Sequence, residues 1–99
     1  MKTEGNMNGR VREPERISRI LDWLKEIWET NPDMRFFQLV NTLEHDYSLK
    51  HNGFGKRQGF EIDERNYKNP ITFIDLFYLA DEILEKFLQE YINDQRSRK

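Results

Sequence analysis

The hydrophobic and polar positions near the N-terminus follow the period of an amphipathic helix. After Pro14, whose missing N–H suits a first helical position, apolar residues recur three and four positions apart. They are Ile17, Ile20, Leu21, Leu24, Ile27 and Trp28. Trp23 lies at the edge of this stripe, about 100° from its centre. Its position fits either a partly covered surface side chain or an anchor for a partner, a role in which Trp is enriched.

The residues after Trp28 predict a second helix that begins at Asn31-Pro32-Asp33. Asn is a favourable N-cap, Pro is favourable at the first helical position, and Asp suits the positive end of a helix. The apolar positions that follow keep helical spacing and are Phe36, Leu39, Val40, Leu43 and Tyr47. Phe37 falls at the flank of this face, so the core does not require it.

Residues 48–69 have no helical period and carry Gly53, Gly55 and Gly59 among basic residues. We expect a long glycine-containing loop here, because such composition is typical of irregular segments. Within it, residues 60–63 alternate between apolar and polar, which predicts a short β element.

The segment from Asn69-Pro70 onward supports two structures. The Asn-Pro pair repeats the helix-start signal, and the helical period allows one helix over residues 70–93. The dense β-prone residues at 73–79 favour a break in that helix instead. A helix from Asp81 onward is common to both interpretations.

Together these patterns predict a mainly α fold, a small three-helix domain over residues 14–93 with residues 48–69 as a loop insertion. Residues 1–13 are polar and contain glycine, so we expect a flexible N-terminal arm. Residues 94–99 are expected to form a flexible basic tail.

The composition narrows the classes of function. The chain has 16 basic and 18 acidic residues, a net charge of -2, which argues against a general binder of nucleic acid or membrane surfaces. It has no cysteine, which excludes disulfides, thiolate metal sites and thiol nucleophiles. No apolar run approaches the roughly 18 residues of a membrane span, and no signal-peptide centre is found. We therefore expect a soluble cytoplasmic protein without a membrane partner.

The glycine-rich stretch HNGFGKRQGF at residues 51–60 is a candidate anion site. Backbone N–H groups of glycine-rich turns can bind anions, and Lys56 and Arg57 would add positive charge. However, the stretch departs from the phosphate-loop consensus, and no clear strand precedes it. We interpret it as a solvated loop, with an anion or nucleic-acid contact through these two cations as the alternative.

Other chemistry finds little support in the sequence. The two histidines, His45 and His51, lack a third metal ligand at suitable spacing. Ser48 has no glycine-framed nucleophile elbow around it. The carboxylates after residue 80, among them Asp81 and Glu85, fall on the expected solvent face of a helix. We therefore predict no enzymatic activity, no metal and no cofactor.

Sequence-specific DNA binding is the main alternative function. Two helices joined by a short turn could form a helix-turn-helix, with the helix from about Asp33 to Tyr47 as the reading helix. Its polar side would present Arg35, Gln38, Asn41 and Thr42, which can bond to base edges. Acidic residues on the same helix and the negative total charge oppose this interpretation.

Several short motifs resemble small uncharacterised bacterial and phage proteins of the YihD-like type. They are Trp28, Pro32-Asp33, Gln38-Leu39 and Asp81-Glu82-Ile83-Leu84, within the stretches RISRILDWLKEIWETNPDMRFFQLVNTL and FYLADEILEKFL. These stretches cover about 40 of the 99 residues. The resemblance implies a small, mainly helical domain linked to phage or prophage. It implies no enzymatic activity and transfers no functional residues.

The sequence therefore favours a non-enzymatic protein-interaction module, and the resemblance suggests a phage accessory protein acting on a host protein. A homodimer fits the exposed aromatics equally well. The candidate partner-binding residues are Trp23, Arg35, Phe37, Gln38, Lys56 and Arg57.

Overall fold

Three helices and a two-stranded antiparallel sheet make up the fold, as a computed structural model describes it for residues 12–97. In chain order they are α1 (Glu15–Glu29), α2 (Phe36–Lys50), β1 (Lys56–Ile62), β2 (Lys68–Ile74) and α3 (Asp81–Ser97). The prediction of a mainly α fold with a short β element is confirmed. Residues 1–11 of the expected arm and 98–99 of the expected tail lie outside the described residues.

The chain divides into two compact units. Unit 1 combines Met1–Asn31 with Asp81–Lys99 and therefore holds α1 and α3. Unit 2 is the continuous segment Pro32–Ala80 and holds α2 and both strands. Among the helices of residues 12–97, none combines the length and the apolar character needed to cross a membrane.

In unit 1, α1 and α3 lie side by side and run parallel. Ion pairs join them at three levels: Arg16–Asp81 (2.7 Å), Arg19–Glu85 (2.8 Å) and Glu26–Arg96. The residue numbers of the paired side chains increase together along the two helices, which shows that the helices run in the same direction. The hydrogen bonds that Arg19 donates to the carboxylates of Glu85 and Glu13 raise its pKa further above its ordinary range. The buried apolar residues of the two helices are Ile27, Phe87, Leu88 and Ile92.

These ion pairs correct the expectation that the carboxylates of α3 only face solvent. The Glu85 side chain is only 15% exposed and accepts two hydrogen bonds from Arg19. Asp81 accepts one from the Nε of Arg16. The helix also extends to Ser97, so residues 94–97, expected in a flexible tail, are helical.

The turn between α1 and α2 differs from the prediction that Asn31 caps the second helix. The backbone N–H of Asn31 donates to the Trp28 carbonyl at 2.8 Å, which places Asn31 at the C-terminal end of α1. The second helix begins later, with Arg35 at its N-cap position. There the Gln38 side chain accepts a hydrogen bond from the Arg35 N–H at 2.9 Å. This side-chain cap satisfies a free donor at the helix start.

In unit 2, an ordered turn joins α2 to β1, where the sequence suggested an irregular loop. The Ser48 carbonyl accepts hydrogen bonds from His51 and Gly53, the second of which is typical of a helix that ends in a left-handed residue. Asn52 is that residue, with φ of 58°. Tyr47 stacks on His51 at 4.0 Å between ring centroids and meets the Phe54 ring edge-on at 5.7 Å.

β1 and β2 pair in a register that sets Gln58 against Thr72 and Phe60 against Pro70. Pro70 therefore lies within a strand, so the alternative of one helix over residues 70–93 is wrong, and the break before Asp81 is confirmed. Helical and strand residues fill just over half of residues 48–69, because α2 extends to Lys50 and the strands cover residues 56–62 and 68–69. The β-branched and aromatic residues at 71–74 favour the extended chain over the helix.

The base of the hairpin closes where Gly55 meets Asp75. The Asp75 N–H donates to the Gly55 carbonyl at 2.8 Å, and Gly55 has φ of +80°. A Cβ at this position would lie 2.6 Å from the Asp75 carbonyl oxygen and 3.0 Å from Leu76. Only glycine therefore fits here without strain.

We expect Gly55→Ala to destabilise the protein more than the control Gly53→Ala. Gly53 has φ of +81° but open space around it, so alanine there costs about 1–2 kcal/mol for the left-handed backbone. Gly55→Ala adds about 1–3 kcal/mol for the steric clash. Urea unfolding of both variants measures the difference, and equal losses of stability would contradict this account of the hairpin base.

Candidate protein interaction surface

The pairing of β1 with β2 decides which backbone groups of β1 face away from the hairpin. Hydrogen bonds join Gly55 to Asp75 at one end and Asp63 to Tyr67 at the other. Because bonding residues alternate along an antiparallel strand, the odd-numbered residues of β1 bond to β2. The N–H and C=O groups of the even-numbered residues therefore point outward, and those of Gln58, Phe60 and Ile62 have no hydrogen-bond partner within residues 12–97.

The outer edges of the two strands are not equivalent. Pro70 occupies an outward-facing position of β2 and has no N–H to offer, so it interrupts that edge. On β1, the Lys56 N–H already donates to the Gly53 carbonyl at 3.0 Å. The following three outward positions carry complete donor and acceptor pairs. The edge of β1 is thus the one on which another strand could add.

Apolar side chains accompany this open edge. Phe60 and Ile62 lie on the same face of the hairpin, since side chains alternate along a strand. They are 67% and 65% exposed. The Lys68 ammonium lies 5.9 Å from the centre of the Phe60 ring on that face, within reach of a cation–π contact. The open edge therefore combines free backbone groups with uncovered apolar area.

The exposed apolar side chains of the described residues concentrate in unit 2. Of thirteen exposed large hydrophobic residues, ten belong to this unit, and only Ile17, Leu21 and Ile83 belong to unit 1. Phe77 and Tyr78 are each 80% exposed, and their rings meet edge-on at 5.0 Å. Exposed apolar area of this kind is enriched at protein-interaction sites.

The hairpin turn is held by one carboxylate. Asp63 Oδ1 accepts hydrogen bonds from the N–H groups of Arg65 and Tyr67 at 2.9 and 3.0 Å, and Oδ2 accepts from the Asn69 side chain at 3.2 Å. These bonds, that from Tyr67 above all, lower the pKa of Asp63 below its ordinary value. Asn66 completes the turn with φ of 70°.

Three of the predicted partner-binding residues lie at the start of α2. Phe37 is 80% exposed, and its ring meets that of Phe36 edge-on at 5.3 Å. Arg35 is exposed at the N-cap position. Gln38 is also exposed, but its side-chain oxygen caps the helix, so that oxygen is engaged within the chain. This capping role was not predicted from the sequence.

Lys56 and Arg57 do not converge on the glycine turn. As neighbours on β1 they point to opposite faces, and Arg57 lies 3.7 Å from the Asp75 carboxylate. The N–H groups of Gly53 and Phe54 donate to the carbonyls of Ser48, near the end of α2, and His51. These two donors of the glycine turn are therefore engaged within the chain, and an anion or nucleic-acid contact through Lys56 and Arg57 stays a prediction.

Trp23 belongs to unit 1, apart from the other five predicted residues. It is half-buried and lines a surface cavity of about 330 Å³. The residues around this cavity are Trp23, Glu26, Gln89, Ile92, Asn93 and Arg96. Trp23 is thus a partly covered side chain, and its role as a partner anchor stays a prediction.

The predictions that concern metal binding and DNA binding involve the two histidines and the polar side of α2. His45 and His51 hydrogen-bond through Nδ1 to the carbonyls of Asn41 and Tyr47. No three His, Cys, Asp or Glu side chains among residues 12–97 are placed to hold a metal ion. Asn41 and Thr42 are exposed. DNA binding through α2 stays a prediction, which gel shifts at low and high salt would test.

The sequence predictions did not select four exposed apolar residues of unit 2, which are Phe60, Ile62, Phe77 and Tyr78. Phe60 and Ile62 were expected in a short β element, but the pairing that leaves their edge open depends on residues 68–74, which could equally be read as helical. Phe77 fitted the apolar face of a possible long helix, whereas Phe77 and Tyr78 also belonged to a β-prone patch that opposed this helix. The β-prone composition of residues 73–79 was the signal that pointed the other way.

Comparison of the chain with protein-family models, with curated proteins and with solved structures found no match. The resemblance to the YihD-like group stays a prediction.

We expect the hairpin turn to depend on ionised Asp63. Because its pKa is lower in the folded protein, its contribution to stability is present above the ordinary aspartate value of 3.8 and is lost as the pH falls through the folded pKa. The amide shifts of Arg65 and Tyr67, followed by NMR during acid titration, report this transition. Asp63→Asn, which keeps an acceptor but does not titrate, should remove it; an unchanged titration in that variant would assign the transition to another group.

Proposed function

We propose that the chain is a non-enzymatic protein-interaction module that binds protein partners through the exposed apolar surface of unit 2. The observation that carries this proposal is the concentration of exposed large hydrophobic side chains in that unit. Phe37, Phe77 and Tyr78, each 80% exposed, give the surface its aromatic anchors. Aromatic residues are enriched at the energetic centres of protein interfaces, because they bury a large area at a small cost in side-chain entropy.

The proposal includes a cytoplasmic setting, which rests on the sequence. The resemblance to the YihD-like group extends it to an accessory protein of phage or prophage that acts on a host protein. Recognition of a partner needs no reactive side chain. Three polar side chains of unit 2 have structural roles that agree with such a function. Gln38 caps a helix, Asp63 holds a turn and Arg57 lies beside Asp75.

We expect Phe77→Ser with Tyr78→Ser to abolish capture of a protein partner from a lysate of the source organism. These two rings are almost fully exposed, so their removal should leave the fold intact, which circular dichroism checks. The matched control is Leu21→Ser, which removes an apolar side chain that is 58% exposed in unit 1. The control should retain the partner captured by the unaltered protein.

Nuclease treatment before the pull-down separates protein partners from nucleic acid. A partner that survives nuclease treatment and is lost only with the Phe77 and Tyr78 substitutions supports the proposal. Capture that is equal for both variants, or that disappears with nuclease, contradicts it. The second result would favour DNA binding instead.

A further inference from the structure

The sheet has only two strands, and the outer edge of β1 is open and apolar. An isolated hairpin is marginally stable, and both of its strands are edges to which another chain can pair. Here Pro70 interrupts one edge, while Gln58, Phe60 and Ile62 on the other offer complete backbone donors and acceptors. The free edge therefore requires an explanation, and its own sequence suggests one.

The charges of β1 and the start of its turn are complementary to those of a second copy that runs in the opposite direction. From Lys56 to Glu64 it reads KRQGFEIDE, with two cations at one end, two carboxylates at the other and Phe60 at the centre. In an antiparallel pair of two copies centred on Phe60, Arg57 of each copy lies opposite Asp63 of the other. Lys56 of each copy likewise approaches Glu64 of the other, which follows at the start of the turn.

We infer that β1 pairs with β1 of a second copy of this chain, which joins two hairpins into a four-stranded antiparallel sheet. This inference rests on the proposed function, because it names the partner of one edge of the same surface. The symmetry is that of a two-fold dimer, in which the same patch contacts itself.

The backbone geometry fits this pairing. In the register centred on Phe60, the residues that face each other across the new interface are the ones with outward N–H and C=O groups. Phe60 meets Phe60 of the second copy, and Gln58 meets Ile62. Each such pair exchanges both of its backbone hydrogen bonds, so the unpaired groups of the edge are satisfied.

The charges select the register. A pairing centred on Glu61 would set that carboxylate against its own copy and Arg57 against Arg65, so like charges would oppose each other. A pairing centred on Gly59 would bring Arg57 opposite Glu61 but leave Lys56 opposite Ile62. Only the pairing centred on Phe60 places both cations of β1 near carboxylates. It also sets the two Phe60 rings, each 67% exposed, side by side on one face.

The decisive experiment exchanges charges between positions 56 and 64. Light scattering after size exclusion and sedimentation velocity of the full chain should give a dimer of twice the 12.1 kDa monomer mass. Lys56→Glu alone or Glu64→Lys alone sets like charges against each other twice in the dimer. Each variant should raise the dimer dissociation constant about tenfold.

Mixing the two single variants supplies the test that a folding defect cannot imitate. In the mixed dimer, Glu at position 56 meets Lys at position 64, and Lys56 meets Glu64, so every charge pair is attractive. The mixture should dimerise where each variant alone does not. The double variant Lys56→Glu with Glu64→Lys should also dimerise with itself.

A second pair of variants tests the backbone of the edge. Gln58→Pro removes an outward N–H from β1, and Thr72→Pro removes one from the directly opposite position of β2. Neither N–H bonds within the hairpin. Gln58→Pro should therefore give a monomer, while Thr72→Pro should leave the dimer unchanged.

These experiments have outcomes that would overturn the dimer and outcomes that would overturn the proposed function. An unaltered protein that stays monomeric over a broad concentration range overturns the inference, as does a dimer insensitive to both charge reversals and to Gln58→Pro. A monomer that still captures a protein through Phe77 and Tyr78 would overturn the dimer alone and leave the proposed function in place. A protein that forms the dimer but captures no partner through Phe77 and Tyr78 would overturn the proposed function alone.

Discussion

The arrangement of unit 2 depends on one close contact between backbones, where Gly55 receives the hydrogen bond of Asp75. This bond determines which residues of β1 bond to β2 and which face outward, because bonding and non-bonding residues alternate along an antiparallel strand. A shift of one residue would turn every side chain to the opposite face and exchange the inner and outer backbone groups. The position of Pro70 on an outer edge, the exposure of Phe60 and Ile62 and the open edge of β1 all follow from it.

The helices of unit 1 were predictable because their apolar periodicity is long and uninterrupted. Both α1 and α3 begin within a residue of where the sequence indicated. Unit 2 was harder to predict, because its signals are ambiguous locally. An Asn-Pro pair precedes a helix in the usual reading, yet Asn31 ends α1 and Pro70 lies within β2. Pro70 lies in a strand because its segment pairs with residues 56–62, and a local pattern does not contain that pairing. Asn31 instead bonds to Trp28, three residues earlier, so the end of α1 takes the residue that the pattern assigned to the start of the next helix.

The polar side chains were predicted less well than the apolar ones for a related reason. A carboxylate on the polar side of a helix is predicted to face solvent as long as the neighbouring helix is unknown. Glu85 is instead held by Arg19, which is distant in sequence and brought near by the parallel packing of α1 and α3. Gln38 and Asp63 likewise have short-range structural roles at a helix start and a turn. Of the predicted partner-binding residues, five lie in unit 2 and Trp23 lies in unit 1.

The parallel pairing of α1 with α3 has a consequence for the synthesis of the chain. The ribosome releases α1 before its partner helix, because residues 30–80 are made between them. Until then, Arg16 and Arg19 lack their carboxylates on α3 and the apolar stripe of α1 lacks that helix. Unit 2, which is continuous in sequence, can complete its hairpin in the meantime. A nascent chain interrupted before Asp81 would therefore expose α1, a state open to chaperones and proteases.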